Sequence, residues 1–77
     1  MEVIMNSLNE LAIGEIARIK KLNCTGDIRR RMLDLGLVEG TLIRALFKSP
    51  CGDPTAFEIR NSVIALRKED SRNILII

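Results

Sequence analysis

From Thr41 to Ile77 the chain is a series of short apolar runs, TLIRALFK, TAFEIR, VIALR and ILII. They are parted by the polar or Gly- and Pro-bearing pieces SPCGDP, NS and KEDSRN. The runs are four to eight residues long, too short for the roughly 10–12 residues of an ordinary helix and right for strands. In the first run Ile43, Ala45 and Phe47 alternate with Leu42, Arg44, Leu46 and Lys48, so one set is expected inside. Phe57 and Ile59 share a face of the second run, and Ile64 and Leu66 point inward in the third. Asn61-Ser62 is expected to be a two-residue hairpin turn, because Asn tolerates positive φ. ILII (74–77) is expected to be fully buried.

Upstream, the apolar spacing changes. EIARIKKL (15–22) reads as a strand, but Ile16 and Ile19 break strict alternation, which calls for a bulge or strong twist. Before it, Ser7 and Glu10 have capping-box spacing and predict one short helical turn. NCTGDIRRRMLDLG is the one clear helix. Thr25 or Asp27 caps it, Ile28, Met32 and Leu35 form an apolar stripe at i, i+4 and i+7, and Gly36 stands where a left-handed residue ends helices. VEGT predicts a turn with Gly40 at the position of positive φ. The expected fold is therefore mainly β. It is a small, nearly closed five-stranded barrel with one short α-helix between strands 1 and 2 and a short helical turn before the last strand.

The 77 residues make one domain, 1–77, with a thin core. The expected stability margin at this size is about 3–5 kcal/mol. A dense aliphatic core has to supply it, since 47% of residues are hydrophobic but only 3% aromatic. There is no His, and two Cys make neither a disulfide framework nor a ligand quartet. No nucleophile has an evident base and no Gly-rich phosphate loop is present, which argues against an enzyme. MEVIMNSLNEL lacks the basic start and apolar run of a secretory signal, and no apolar stretch approaches the roughly 18–20 residues of a membrane span. With two Cys left unpaired, a cytoplasmic setting is expected.

Arg29, Arg30 and Arg31 invite a nucleic-acid reading. Arg18, Lys20 and Lys21 lie nearby, and only Asp27 opposes them. At 100° per residue, however, the three arginines fan over the solvent side and form no row that tracks a phosphate backbone. There is no Tyr or Trp, and both Phe fall at apparent core positions, so base stacking is missing. The net charge is only +2. Leu33 lies outside the apolar stripe on the same flank as Arg29, and the pair reads as an anchor for another protein, where Arg is enriched.

The order RMLDLGLVEGTLIRALFKSPCGDPTAFEI, then VIALRKEDSRNILI, resembles the FeoA family of small ferrous-iron-transport proteins. The same small barrel resembles the C-terminal domain of DtxR-type metal-dependent repressors. The resemblance is carried by Arg31, Leu35, Gly36, Gly40, Gly52, Asp53, Pro54, Ala65, Leu66 and Arg67, and runs from about Leu8 to Ile77. Glu39 stands where the family usually has Pro, and Asn61 near where a hairpin Gly is usual.

The resemblance implies an SH3-like barrel and a cytoplasmic accessory role. The implied partner is the cytosolic region of FeoB, a membrane ferrous-iron transporter, so that the membrane is met only through it. It implies a contact surface on Arg29, Arg30 and Leu33, with the loop Cys51, Gly52, Asp53 and Pro54 as a second candidate. No cofactor is evident. Iron or zinc on Cys24 and Cys51 is the metal candidate, set against ordinary reduced thiols. The chain is expected as a monomer or weak dimer. The alternatives are a nucleic-acid-binding barrel and a module that contacts a transcription regulator.

Overall fold

Two β-bulges decide which side chains reach the interior. The computed structural model describes residues 6–77. Residues 1–5, which the single-domain expectation includes, lie outside that part. In chain order the strands are β1 (Asn6–Ser7), β2 (Ile16–Leu22), β3 (Leu42–Lys48), β4 (Thr55–Ile59), β5 (Ser62–Leu66) and β6 (Ile74–Ile76). Helix α1 (Gly26–Asp34) joins β2 to β3, and α2 (Lys68–Ser71) joins β5 to β6. A 3-10 turn, Leu8–Glu10, follows β1.

The strands form one antiparallel sheet in the order β1-β6-β2-β3-β4-β5. The count is six rather than five, because the two residues of β1 pair with Leu75 and Ile76. So short a pairing leaves no periodicity to read. The first bulge falls in β2 between Ile19 and Lys21. It lets Ile19 and Leu22 both face inward, and at this point β2 leaves β3 for β6. The expected bulge is present, but it does not bring Ile16 inside: Ile16 points out and Ala17 is buried.

The second bulge, in β3 between Ala45 and Phe47, corrects a core assignment. Ile43 and Ala45 are buried as the alternation requires. The extra residue, Leu46, then reverses the phase, and Phe47 comes out exposed. The β4–β5 loop is Arg60-Asn61, with φ of +48° and +67°, and Ile59 faces Ser62 in register. The turn is thus one residue earlier than expected, with Asn61 second in it. In the last strand Ile74 and Ile76 are buried while Ile77 is exposed. The run therefore alternates instead of being buried throughout.

The core gathers Leu8, Ile19, Met32, Leu37, Ile43, Phe57, Ile59, Ile74 and their neighbours. Phe57 is the largest side chain that is fully buried. The sheet row ends at β1 and β5. Across these ends α2 packs on the 3-10 turn, so side-chain packing completes the barrel there. The Glu10 carboxylate accepts a hydrogen bond from the Ser7 N–H at 3.4 Å, the return half of the expected capping box.

Candidate functional site

Helix α1 begins after an extended Thr25, with Asp27 in its first turn. It ends as the sequence requires. Gly36 has φ +95°. The Gly36 N–H donates to the Leu33 carbonyl and the Leu37 N–H to the Met32 carbonyl, both at 3.0 Å. This is the paired pattern of a Schellman stop, and Leu37 and Met32 are both buried beneath it. The chain then turns at Val38–Thr41. The Thr41 N–H donates to the Val38 carbonyl, and Gly40 has φ +88°.

The expected apolar stripe of α1 is only partly used. Met32 is buried, but Ile28 and Leu35 are exposed. Met32 is the one buried residue of the helix, and Leu37 follows it into the core. Leu33 is 36% exposed, less than either Leu35 at 40% or Ile28 at 50%. Arg29 and Leu33 line a shallow hollow with Lys21, Leu22 and Glu39. Arg30 and Arg31 are exposed and do not line it. The hollow carries two cations, one carboxylate and two leucines.

On the other side of the Val38–Thr41 turn lies a larger groove of about 610 Å³, lined by Ile16, Leu42, Arg44, Glu58 and Arg60 among others. Glu39 borders both concavities. The Arg18 Nη1 donates to the Gly40 carbonyl at 2.7 Å, and the Arg60 Nη2 to the Thr41 Oγ1 at 3.5 Å. Two arginines thus brace the turn, one from β2 and one from the β4–β5 loop. None of these groove residues was singled out from the sequence. The signal was present, since alternation in 41–48 already sets Leu42 and Arg44 on the outward side.

The Cys51–Pro54 loop is away from both concavities and is tied inward. The Asp53 Oδ1 accepts from the Lys68 N–H at 2.8 Å, which caps the first turn of α2. The Ser49 hydroxyl donates to the Asp53 carbonyl at 2.7 Å, and the Ser49 N–H to the Pro54 carbonyl at 3.0 Å. The Asp53–Pro54 peptide is cis. This gives the Gly-Asp-Pro motif a job in the fold. Cys51 is exposed and Cys24 is half-buried against the core. Among the described residues no three His, Cys, Asp or Glu side chains gather as metal ligands. The chain has no His, so any metal here would rest on thiolate and carboxylate donors. The statement that both Phe are interior holds for Phe57 only.

The molecule is a small, mainly β barrel that presents two neighbouring hollows, with charged and apolar residues mixed in each. No helix among the described residues is long and apolar enough to cross a membrane. The family model for the FeoA domain matches residues 6–77, and the chain belongs to the FeoA family. A fusion protein of Fe(2+) transport protein A and the Fe(2+) transporter FeoB from Porphyromonas gingivalis is 34% identical over 67 residues. That alignment takes in 87% of this chain and 8% of the fusion.

Among solved structures, a FeoA-like protein from Clostridium acetobutylicum superposes with a TM-score of 0.88 at 32% identity, over 99% of this chain and 88% of that one. The Stenotrophomonas maltophilia FeoA, an SH3 domain protein in complex with zinc, superposes with a TM-score of 0.77 at 27% identity, over 92% and 88%. A manganese-dependent transcriptional repressor shares the fold alone, with a TM-score of 0.86 at 12% identity, over 99% of this chain and 37% of the repressor. The family and the resemblance to metal-dependent repressors therefore stand as read from the sequence, and the barrel is SH3-like.

Proposed function

We propose that the chain is a cytoplasmic accessory protein of ferrous-iron transport that works by binding the cytosolic region of a FeoB-like transporter. It carries out no reaction of its own, and iron enters only as the transporter's cargo. The observation that carries this reading is the fusion in Porphyromonas gingivalis. There a domain 34% identical to this chain shares one polypeptide with FeoB. Two domains joined in one chain meet at high effective concentration. A copy on a separate polypeptide would have to supply that proximity by affinity.

The contact we assign is the exposed flank of α1, with Arg29 and Leu33 at its centre and Arg30 beside them. Arginine is enriched in the buried centre of protein interfaces, and an exposed leucine beside it adds apolar area. The loop Cys51, Gly52, Asp53 and Pro54 is the second contact. Its tie to α2 gives it a fixed shape to present. Zinc belongs to the Stenotrophomonas protein, and nothing in this reading is routed through a metal on Cys24 or Cys51.

The test is titration of the purified chain against a FeoB cytosolic region, with and without guanine nucleotide. Replacing Arg29 and Leu33 together by Glu should weaken binding at least tenfold and leave the circular dichroism unchanged, because both side chains are exposed. A double variant that binds as the wild type does would move the contact off α1. A wild type that does not bind at all would remove the partner.

A further inference from the structure

The outer face of β2–β5 has a pattern that the contact on α1 does not use. Residues paired in antiparallel register point to the same side of a sheet. Ile16 faces Arg44, Arg44 faces Glu58, and Glu58 faces Val63. One row across four strands therefore reads apolar, cation, anion, apolar. Ile16 is 52% and Val63 62% exposed. Beyond the β3 bulge, Phe47 faces Ala56. Phe47 is 59% exposed, while Ala56, on this face and outside the core cluster, is only 7% exposed. A large side chain and a small one thus stand side by side.

Both rows are complementary to themselves. Take a twofold axis lying in the face, parallel to the strands and between β3 and β4. It sets β3 of one copy over β4 of the other, and β2 over β5. Arg44 then meets Glu58, Ile16 meets Val63, and Phe47 meets Ala56, each twice. An isologous interface requires this of a surface. Stacked twisted sheets keep their strands within about 30° of each other, which preserves the row-on-row match. The balanced charge of the row also speaks against other occupants. Glu58, with Glu39 at the rim, offsets Arg44 and Arg60 in this groove. We propose that the outer face of β2–β5 binds a second copy of this chain about that axis. The α1 flank stays free on both copies.

Sedimentation equilibrium from about 10 μM to about 1 mM, a range that spans weak self-association, is expected to show the mass rise from 8.6 kDa toward twice that value. Arg44→Glu and Glu58→Arg each set like charges opposite one another across the axis. Each should weaken dimerisation at least tenfold. Arg44 and Glu58 are also neighbours within one chain, so an equimolar mixture of the two variants is the decisive sample. In the mixture opposite charges meet only between chains, and dimers should return.

Val63→Glu gives the same loss at a more exposed position, should either charge variant fail to fold. A wild type that stays at 8.6 kDa at the highest concentration overturns the proposal. So do variants that associate as the wild type does, or a mixture that stays monomeric. Uptake of a monomeric wild type by phosphatidylserine vesicles would also overturn it, and would give the face to lipid.

Discussion

Strand β4 and helix α1 lie at opposite ends of a scale. β4 has five residues and buries Ala56, Phe57 and Ile59; α1 has nine and buries only Met32. The strand sits between two others, so its inner face has a core on one side and hydrogen-bonded neighbours along both edges. The helix is laid on the outside and held by its C-terminal stop. Apolar periodicity shows which side chains share a face. It does not show how much of that face the rest of the molecule covers. For β4 the cover is complete; for α1 it extends to a single residue.

The contrast is best broken at its strong end. Phe57→Ala removes the largest fully buried side chain. Truncations of this kind cost about 3–5 kcal/mol, which equals the whole margin of a domain this small. Urea unfolding followed by circular dichroism should find the variant mostly unfolded without denaturant. A clear folded baseline would mean that the core is thicker than its burial indicates.

The link between the two regions comes next. A Cβ on Gly36 would meet nothing within 4 Å, so Gly36→Ala changes only the cost of a φ of +95°. That cost is about 1–2 kcal/mol, and the urea midpoint should fall accordingly. An unchanged midpoint would show that the Schellman stop does not hold α1 in place. The weak end should barely respond. Ile28→Ser combined with Leu35→Ser alters two exposed side chains, and thermal unfolding should register a change of about 0.5 kcal/mol or less. A much larger loss would place α1 in the core after all.

The same distinction explains what could be read in the residues beforehand. The end of α1, the turn at Gly40 and the strand between 55 and 59 rest on local rules, and each stands where expected. The hairpin loop misses by one position because Asn61 announces positive φ and Arg60 does not. Phe47 was placed inside because alternation was carried through Leu46, and a bulge leaves no mark in a run of apolar residues. Spacing alone sets Ile28 and Leu35 toward the core, but the fold leaves them 50% and 40% exposed. Arg29 and Leu33 were found as a pair, and the hollow they line also includes Lys21, Leu22 and Glu39. Lys21 and Leu22 end β2 and Glu39 lies in the turn after α1, so the folded chain joins them to the pair. The outward Leu42 and Arg44 were legible one by one. Their row partners Glu58 and Ile16 depended on strand register.

The central claim is that the loosely covered helix faces the transporter. Amide hydrogen exchange of the chain, alone and with a FeoB cytosolic region, tests it most directly. The account predicts slowed exchange across Gly26–Asp34 and at Lys21 and Leu22 on addition of the partner, with the already buried β4 unchanged. Slowed exchange confined to Ser62–Leu66, with α1 exchanging at its free rate in the complex, would contradict it.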